Sequence, residues 1–249
     1  MSRRKFLKLS GLVGAFLLGA TGCDGGRGQG ITPEGTEISE LEEPVGLQQT
    51  MEIQTPRGVV RGVLHPANEA RGAMVMVGGA GGGTHGPGGS YEELGTRLQR
   101  DGVTAVRLEF RQPNYLEECI YDVLSAIKGI SGWGMDRVVL VGWSFGGPVV
   151  ISAGAASEAV VGVATVASQT YGAGAVGKLA PEKSLLLIHG TADSVLPVDL
   201  SRYLYERAGE PKELVLYPND SHGIDLHRLE MLEKLREWGL DLLLNEWSR

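Results

Sequence analysis

Residues 138–150 constrain this chain more than any other stretch. There the apolar run Val138, Val139, Leu140, Val141 meets Gly142, Trp143, Ser144, Phe145 and Gly146, and continues through Gly147, Pro148, Val149 and Val150. Four branched apolar residues in a row read as a strand buried on both faces. The small residues that follow open a helix, so Ser144 stands at a strand-to-helix turn in the G-x-S-x-G pattern of a nucleophile elbow. A turn this tight needs glycine on both sides, because a Cβ there would strike neighbouring backbone. With 38 glycines in 249 residues, the five-residue pattern gains meaning only if chemical partners follow it.

The surrounding sequence alternates strand-like and helix-like stretches. Residues 50–54 and 59–64 alternate apolar and polar side chains around Pro56, Arg57 and Gly58, which predicts an antiparallel pair at a sheet edge. Short apolar runs predict further strands over 73–77, 104–110, 138–141, 161–166, 185–188 and 213–217. Helical spacing predicts helices over 91–99, 115–130 and 224–247. Leu116, Cys119, Ile120, Val123, Leu124 and Ile127 should line the inner face of the second. Leu226, Leu229, Leu232, Leu235, Trp238 and Leu242 should line that of the third. Such alternation implies an α/β fold, with a mainly parallel central sheet covered by helices on both faces.

A serine hydroxyl is a poor nucleophile at neutral pH and needs a base, which in turn needs an orienting group. After strand 185–188 come His189, Gly190, Thr191, Ala192, Asp193, Ser194, Val195, Leu196 and Pro197; after strand 213–217 come Pro218, Asn219, Asp220, Ser221, His222 and Gly223. In a parallel sheet these loops emerge at the carboxyl edge, the same rim as the elbow. Asp220 competes with Asp193 as the acid, but a neighbour two positions from His222 usually points elsewhere, which favours Asp193. His189 reads as a locally hydrogen-bonded strand end, His227 as a surface or cap residue, and Cys119 as a core side chain. Nothing ties His65 to the site.

Over roughly residues 51–247 the chain resembles the α/β-hydrolase family, through its elbow and through residues 189–197, which match an H-G-x-x-D-x-x-V-P type segment with Leu196 in the apolar position. The resemblance implies an α/β-hydrolase fold with Ser144 as nucleophile, His222 as general base and then acid, and Asp193 as orienting carboxylate. It also implies backbone amides for the oxyanion: that of Phe145 and one from the loop 78–85, where alignment points to Ala80, with Gly81 as the fallback. Gly78 departs from the histidine that many relatives carry. Only residues 168–183 stand where a lid would be inserted, too few for a large one. In this the chain is similar to the dienelactone-hydrolase-like and small prolyl-oligopeptidase-like branches, although dienelactone hydrolases use cysteine where this chain has Ser144. The implied activity is hydrolysis of a carboxylic ester or related acyl compound without metal or organic cofactor. Acyl transfer, peptidase activity and a non-catalytic binding role stay open as alternatives. His85, Trp143 and Tyr171 are candidates for substrate contact.

The N-terminal region reads as an address. Arg3, Arg4, Lys5, Phe6, Leu7 and Lys8 precede an apolar stretch, 9–20, too short for a comfortable membrane span. Residues 1–22 resemble a twin-arginine signal peptide. Ala20, Thr21, Gly22 and Cys23 resemble a lipoprotein cleavage box, which implies lipidation of Cys23, export across a prokaryotic cytoplasmic membrane and a membrane anchor at its outer face. Residues 23–45 are poor in large apolar side chains and read as a flexible linker before a hydrolase domain over 46–249. The whole chain carries a net charge of −7; without the four basic residues of the leader, 19 basic face 30 acidic side chains. An acidic body without a basic stripe argues against nucleic acid as a partner and leaves a small-molecule acyl substrate.

Overall fold

A computed structural model describes residues 37–40 and 48–245 of the chain. The expected signal peptide, Cys23, most of the expected linker and the end of the expected last helix lie outside the described residues. The strands are β1 (Glu37–Glu40), β2 (Gln49–Thr55), β3 (Gly58–His65), β4 (Gly72–Val77), β5 (Thr104–Glu109), β6 (Arg137–Trp143), β7 (Val160–Val166), β8 (Ser184–Gly190) and β9 (Lys212–Tyr217). The helices are α1 (Tyr91–Arg100), α2 (Leu116–Gly132), α3 (Gly146–Ala156), α4 (Asp199–Arg207) and α5 (Arg228–Leu244).

Among the described residues the strands form one 9-stranded sheet in the order β1-β2-β3-β5-β4-β6-β7-β8-β9. The expected antiparallel pair is β2 and β3, with β1 antiparallel on its outer side and β5 antiparallel on its inner side. Every neighbouring pair from β5 to β9 is parallel. After β4 the chain moves outward to β5, then crosses back so that β6 lies on the other side of β4. This reversal brings the carboxyl ends of β4 and β6 side by side, with Val77 paired to Gly142, the place where open α/β sheets form their crevice.

The buried runs serve two layers because side chains alternate along a strand. Val75 and Leu140 pack into the cluster shared with α2 and α3, whereas Met76 and Val141 pack with α1 and α5. Each such side chain, fully buried, contributes about 1.5–3 kcal/mol. The expected inner face of α2 is buried from Cys119 onward, and burial pushes the Cys119 thiol up to about 12.

Two expectations are corrected. The last helix begins at Arg228, and Leu226 and Leu229 are 69% and 59% exposed where they were expected to face the sheet. The Asp220 carboxylate accepts the amides of Leu226 and His227, and Ile224 has φ 53, so residues 224–227 are drawn into a turn. The buried face of α5 consists of Met231, Leu232, Leu235, Leu242 and Leu243. Helix α4 and strand β1 were not anticipated. Between β7 and β8, residues 167–183 hold a single short 3-10 turn, Val176–Lys178, and no lid.

Candidate active site

Ser144 follows β6 directly and has φ 55, in the left-handed region that non-glycine residues rarely adopt. The turn is pinned by the Ser144 amide donating to Val166 O at 2.8 Å and the Gly147 amide donating to Ser144 O at 3.0 Å. A Cβ at Gly142 would collide with the carbonyl of Gly146, and one at Gly146 would lie 2.5 Å from Gly78 O. The two glycines therefore let the strand, the helix and the neighbouring loop meet at one point. Phe145 turns its ring inward, edge-on to Phe110 with centroids 6.3 Å apart. Its amide donates to no other group among the described residues.

The loop after β4 lies over the serine, since a side chain at Gly79 would meet Ser144 Cβ at 3.3 Å. Gly82 N donates to Gly79 O at 3.0 Å, closing a turn with Ala80 and Gly81 at its exposed tip. The Ala80 amide, like that of Phe145, has no partner among the described residues.

The loops after β8 and β9 are stitched together. Thr191 N donates to Tyr217 O, Ala192 N to Asp220 O, both at 2.9 Å, and Asn219 N to Thr191 Oγ at 2.9 Å. Across this seam His222 Nδ1 lies 2.7 Å from Asp193 Oδ2. The other oxygen, Oδ1, accepts the amides of Val195 and Leu196 at 2.8 and 2.9 Å. Burial alone would raise the Asp193 carboxyl. The Leu196 amide, the His222 ring and the Val195 amide outweigh burial and hold it below the ordinary carboxylate range. An ionised Asp193 can only accept, so the proton between them belongs to His222 Nδ1, and in the neutral ring Nε2 is an acceptor.

Trp143 ties this pair to the elbow. Its Nε1 donates to His222 O at 3.0 Å, and its ring lies 5.4 Å from the His222 ring. Among the described residues no hydrogen bond links Ser144 Oγ to the His222 ring; unliganded sites commonly leave this contact long until substrate seats.

The structure thus brings Ser144, Phe145, Trp143, His222 and Asp193 together, with the Gly79–Gly82 turn beside them. Asp220, the competing acid, is buried and engaged elsewhere, its Oδ2 2.9 Å from His227 Nδ1. His85 and Tyr171 are exposed, Tyr171 at 79%, and no hydrogen bond or ring contact joins either side chain to the elbow among the described residues. His65, unconnected to the elbow, is buried and accepts from Arg107 Nε at 3.0 Å. His189 is buried, as a packed strand-end histidine should be, but one of its local partners is the acid itself, with Nε2 3.2 Å from Asp193 Oδ2. The i, i+4 spacing of His189 and Asp193 is the signal that could have revealed it. Among the described residues, His, Cys, Asp and Glu do not gather in groups of three or more that could hold a metal ion.

Comparison with known proteins separates local from global likeness. No family model matches the chain. The uncharacterized protein YfhR of Escherichia coli strain K12 is 46% identical over 57 residues, a match that spans only 20% of this chain and 20% of that relative. The fold is similar along nearly the whole length of several solved structures. A dienelactone hydrolase from Anabaena variabilis aligns with a TM-score of 0.70 at 18% identity, over 80% of this chain and 100% of that one. Est1E from Butyrivibrio proteoclasticus aligns at 0.66 with 15% identity, over 79% and 99%. An alpha-beta serine hydrolase homologue from Coxiella burnetii aligns at 0.65 with 20% identity, over 78% and 99%. The chain has the α/β-hydrolase fold. A fold hosts many chemistries, so the reaction must be argued from the site.

Proposed function

We propose that this protein is a serine hydrolase that cleaves carboxylic esters or related acyl compounds through an acyl-enzyme on Ser144. The observation that carries the reading is the strained Ser144, at φ 55, joined through Trp143 to a histidine paired with a buried carboxylate. Strain at a single polar residue costs about 1–3 kcal/mol, which a fold retains where exposing the hydroxyl serves chemistry.

Ser144 Oγ attacks the acyl carbon while His222 Nε2 takes its proton. Asp193 stays ionised and holds the imidazolium that forms. The carbonyl electrons move to oxygen, which on this reading the amide of Phe145 and an amide of the Gly79–Gly82 turn, that of Ala80 by alignment, receive. Collapse of this intermediate expels the alcohol, which leaves with the proton from His222. A water molecule then gives its proton to His222 and attacks the ester on Ser144, releasing the acid and restoring the hydroxyl.

Ser144→Ala is expected to abolish both turnover of p-nitrophenyl acetate and labelling by a fluorophosphonate probe. Undiminished labelling of the variant would overturn the reading. For the leader we propose twin-arginine export and lipidation of Cys23. Cys23→Ser should then lose incorporation of a labelled fatty acid and leave the membrane fraction, and retention of both would overturn it.

A further inference from the structure

His189 ends β8 fully buried, with each ring nitrogen engaged. Nδ1 lies 2.7 Å from Ser201 Oγ of α4; Nε2 lies 3.0 Å from Leu196 O and 3.2 Å from Asp193 Oδ2. A carbonyl and a carboxylate only accept, so Nε2 must carry a hydrogen. Nδ1 is then an acceptor in the neutral ring, and the Ser201 hydroxyl donates to it. Burial lowers the ring's proton affinity against the pull of Leu196 O and Asp193, which keeps it neutral. The one hydrogen of His189 Nε2 is donated to Leu196 O, and Asp193 Oδ2, 3.2 Å from the same nitrogen, lies within its field; that oxygen also receives the His222 hydrogen at 2.7 Å.

We propose that His189 is a positioning residue of the reaction: its Nε2–H, held by Leu196 O and set 3.2 Å from Asp193 Oδ2, helps to fix the carboxylate and draws charge away from the contact that Asp193 makes with His222. The proposal rests on the serine-hydrolase reading. The groups that face His189 are Asp193 and Leu196 O from its own loop, Ser201 from α4 and, across Asp193, His222. Without the His189 hydrogen, Asp193 would concentrate its charge on His222 and hold the protonated base more tightly. It would also lose one of the contacts that aim it.

The test compares His189→Leu, which removes the donor, with His189→Gln, whose amide can donate near the same place. In His189→Leu, kcat for p-nitrophenyl acetate should fall about tenfold or more with KM within about twofold, as expected for lost orientation rather than lost binding. The acid limb of the kcat/KM–pH profile should move up by about half a unit. His189→Gln should recover most of both. Ser201→Ala, which only frees Nδ1, should move the limb the same way by less, and it decides the question if His189→Leu does not fold. An unmoved acid limb in folded His189→Leu, or in Ser201→Ala if that variant must stand in for it, overturns the proposal. If Ser144→Ala still labels and turns over ester, the serine-hydrolase reading itself fails; if Ser144→Ala is inert while the limb stays put, only the role of His189 fails.

Discussion

The loop after β9 supplies the histidines of two histidine–aspartate pairs of nearly the same geometry. His222 meets Asp193 at 2.7 Å and His227 meets Asp220 at 2.9 Å, each through Nδ1 and Oδ2, and both carboxylates are fully buried. Their surroundings differ. His222 and Asp193 lie 29 positions apart in sequence and join two loops, with Trp143 of the elbow against the ring. His227 and Asp220 lie 7 positions apart within one loop, where the His227 ring stacks on Tyr217 at 5.1 Å. Asp220 also accepts the amides of Ser221, Leu226 and His227, so it organises the turn that carries His222. On the proposed function, the same pair of groups would serve chemistry in one place and loop geometry in the other, according to what stands beyond the imidazole.

The largest difference expected between the pairs is kinetic. His222→Ala should lower kcat/KM for p-nitrophenyl acetate by on the order of 10⁴, and Asp193→Asn by on the order of 10³–10⁴, because the amide cannot hold the required tautomer. Steady-state kinetics on proteins with unchanged circular dichroism would check this, and retained turnover in either variant would break the distinction.

Acid titration separates both pairs from the rest of the core. Burial lowers His65 to about 4, helped by the Arg107 charge. A histidine depressed in the fold is stabilising while neutral, so its contribution is complete above about 6.5 and is lost as pH falls to about 4, a loss of up to about 3 kcal/mol. His189, lowered in the same direction, adds to that loss. Asp193 and Asp220 are both held low. Their contributions are present above the unfolded value of about 3.9 and disappear only as pH falls further, through their folded values. Urea unfolding at pH 7 and pH 4.5 should therefore show a drop that His65→Leu diminishes.

Smaller effects belong to the second pair. Asp220→Asn should cost about 2 kcal/mol, because an amide nitrogen would face donors that a carboxylate accepts, while the folded protein keeps its turnover. His227→Gln should cost about 1 kcal/mol or less and leave kcat/KM within about threefold. Thermal melts and kinetics on the same samples test both; a catalytically dead but folded Asp220→Asn would show that the two pairs act as one unit.

Much of the fold was legible because its signals are local. Continuous apolar runs marked β4, β6, β7 and β8, where both faces are covered, and the glycines around Ser144 marked the elbow. Helix α4 was not legible because only Ser201 and Leu204 of it are buried, which leaves no apolar stripe to see; Pro197 and Asp199 near its start were the available clue. Strand β1 is four residues, paired antiparallel to β2, in what the sequence shows as a largely polar segment. The start of α5 was misplaced because Leu226 and Leu229 fit the helical period, while the Asp220 carboxylate captured the amides that a longer helix would have used.

By itself the sequence determined the order of the buried strands and the longer helices, the serine at the tight turn, and the presence of acids and histidines at the carboxyl edge, since these follow from period, glycine placement and chain order. Only the tertiary structure decided which acid meets which histidine, that His189 lies against the oxygen of Asp193, and that Gly79 lies against Ser144. The reason is physical: where a loop side chain points depends on a few backbone angles, such as φ 58 at Asn219 and φ 53 at Ile224, and on bonds between loops distant in sequence. Neither leaves a periodic trace in the residues themselves.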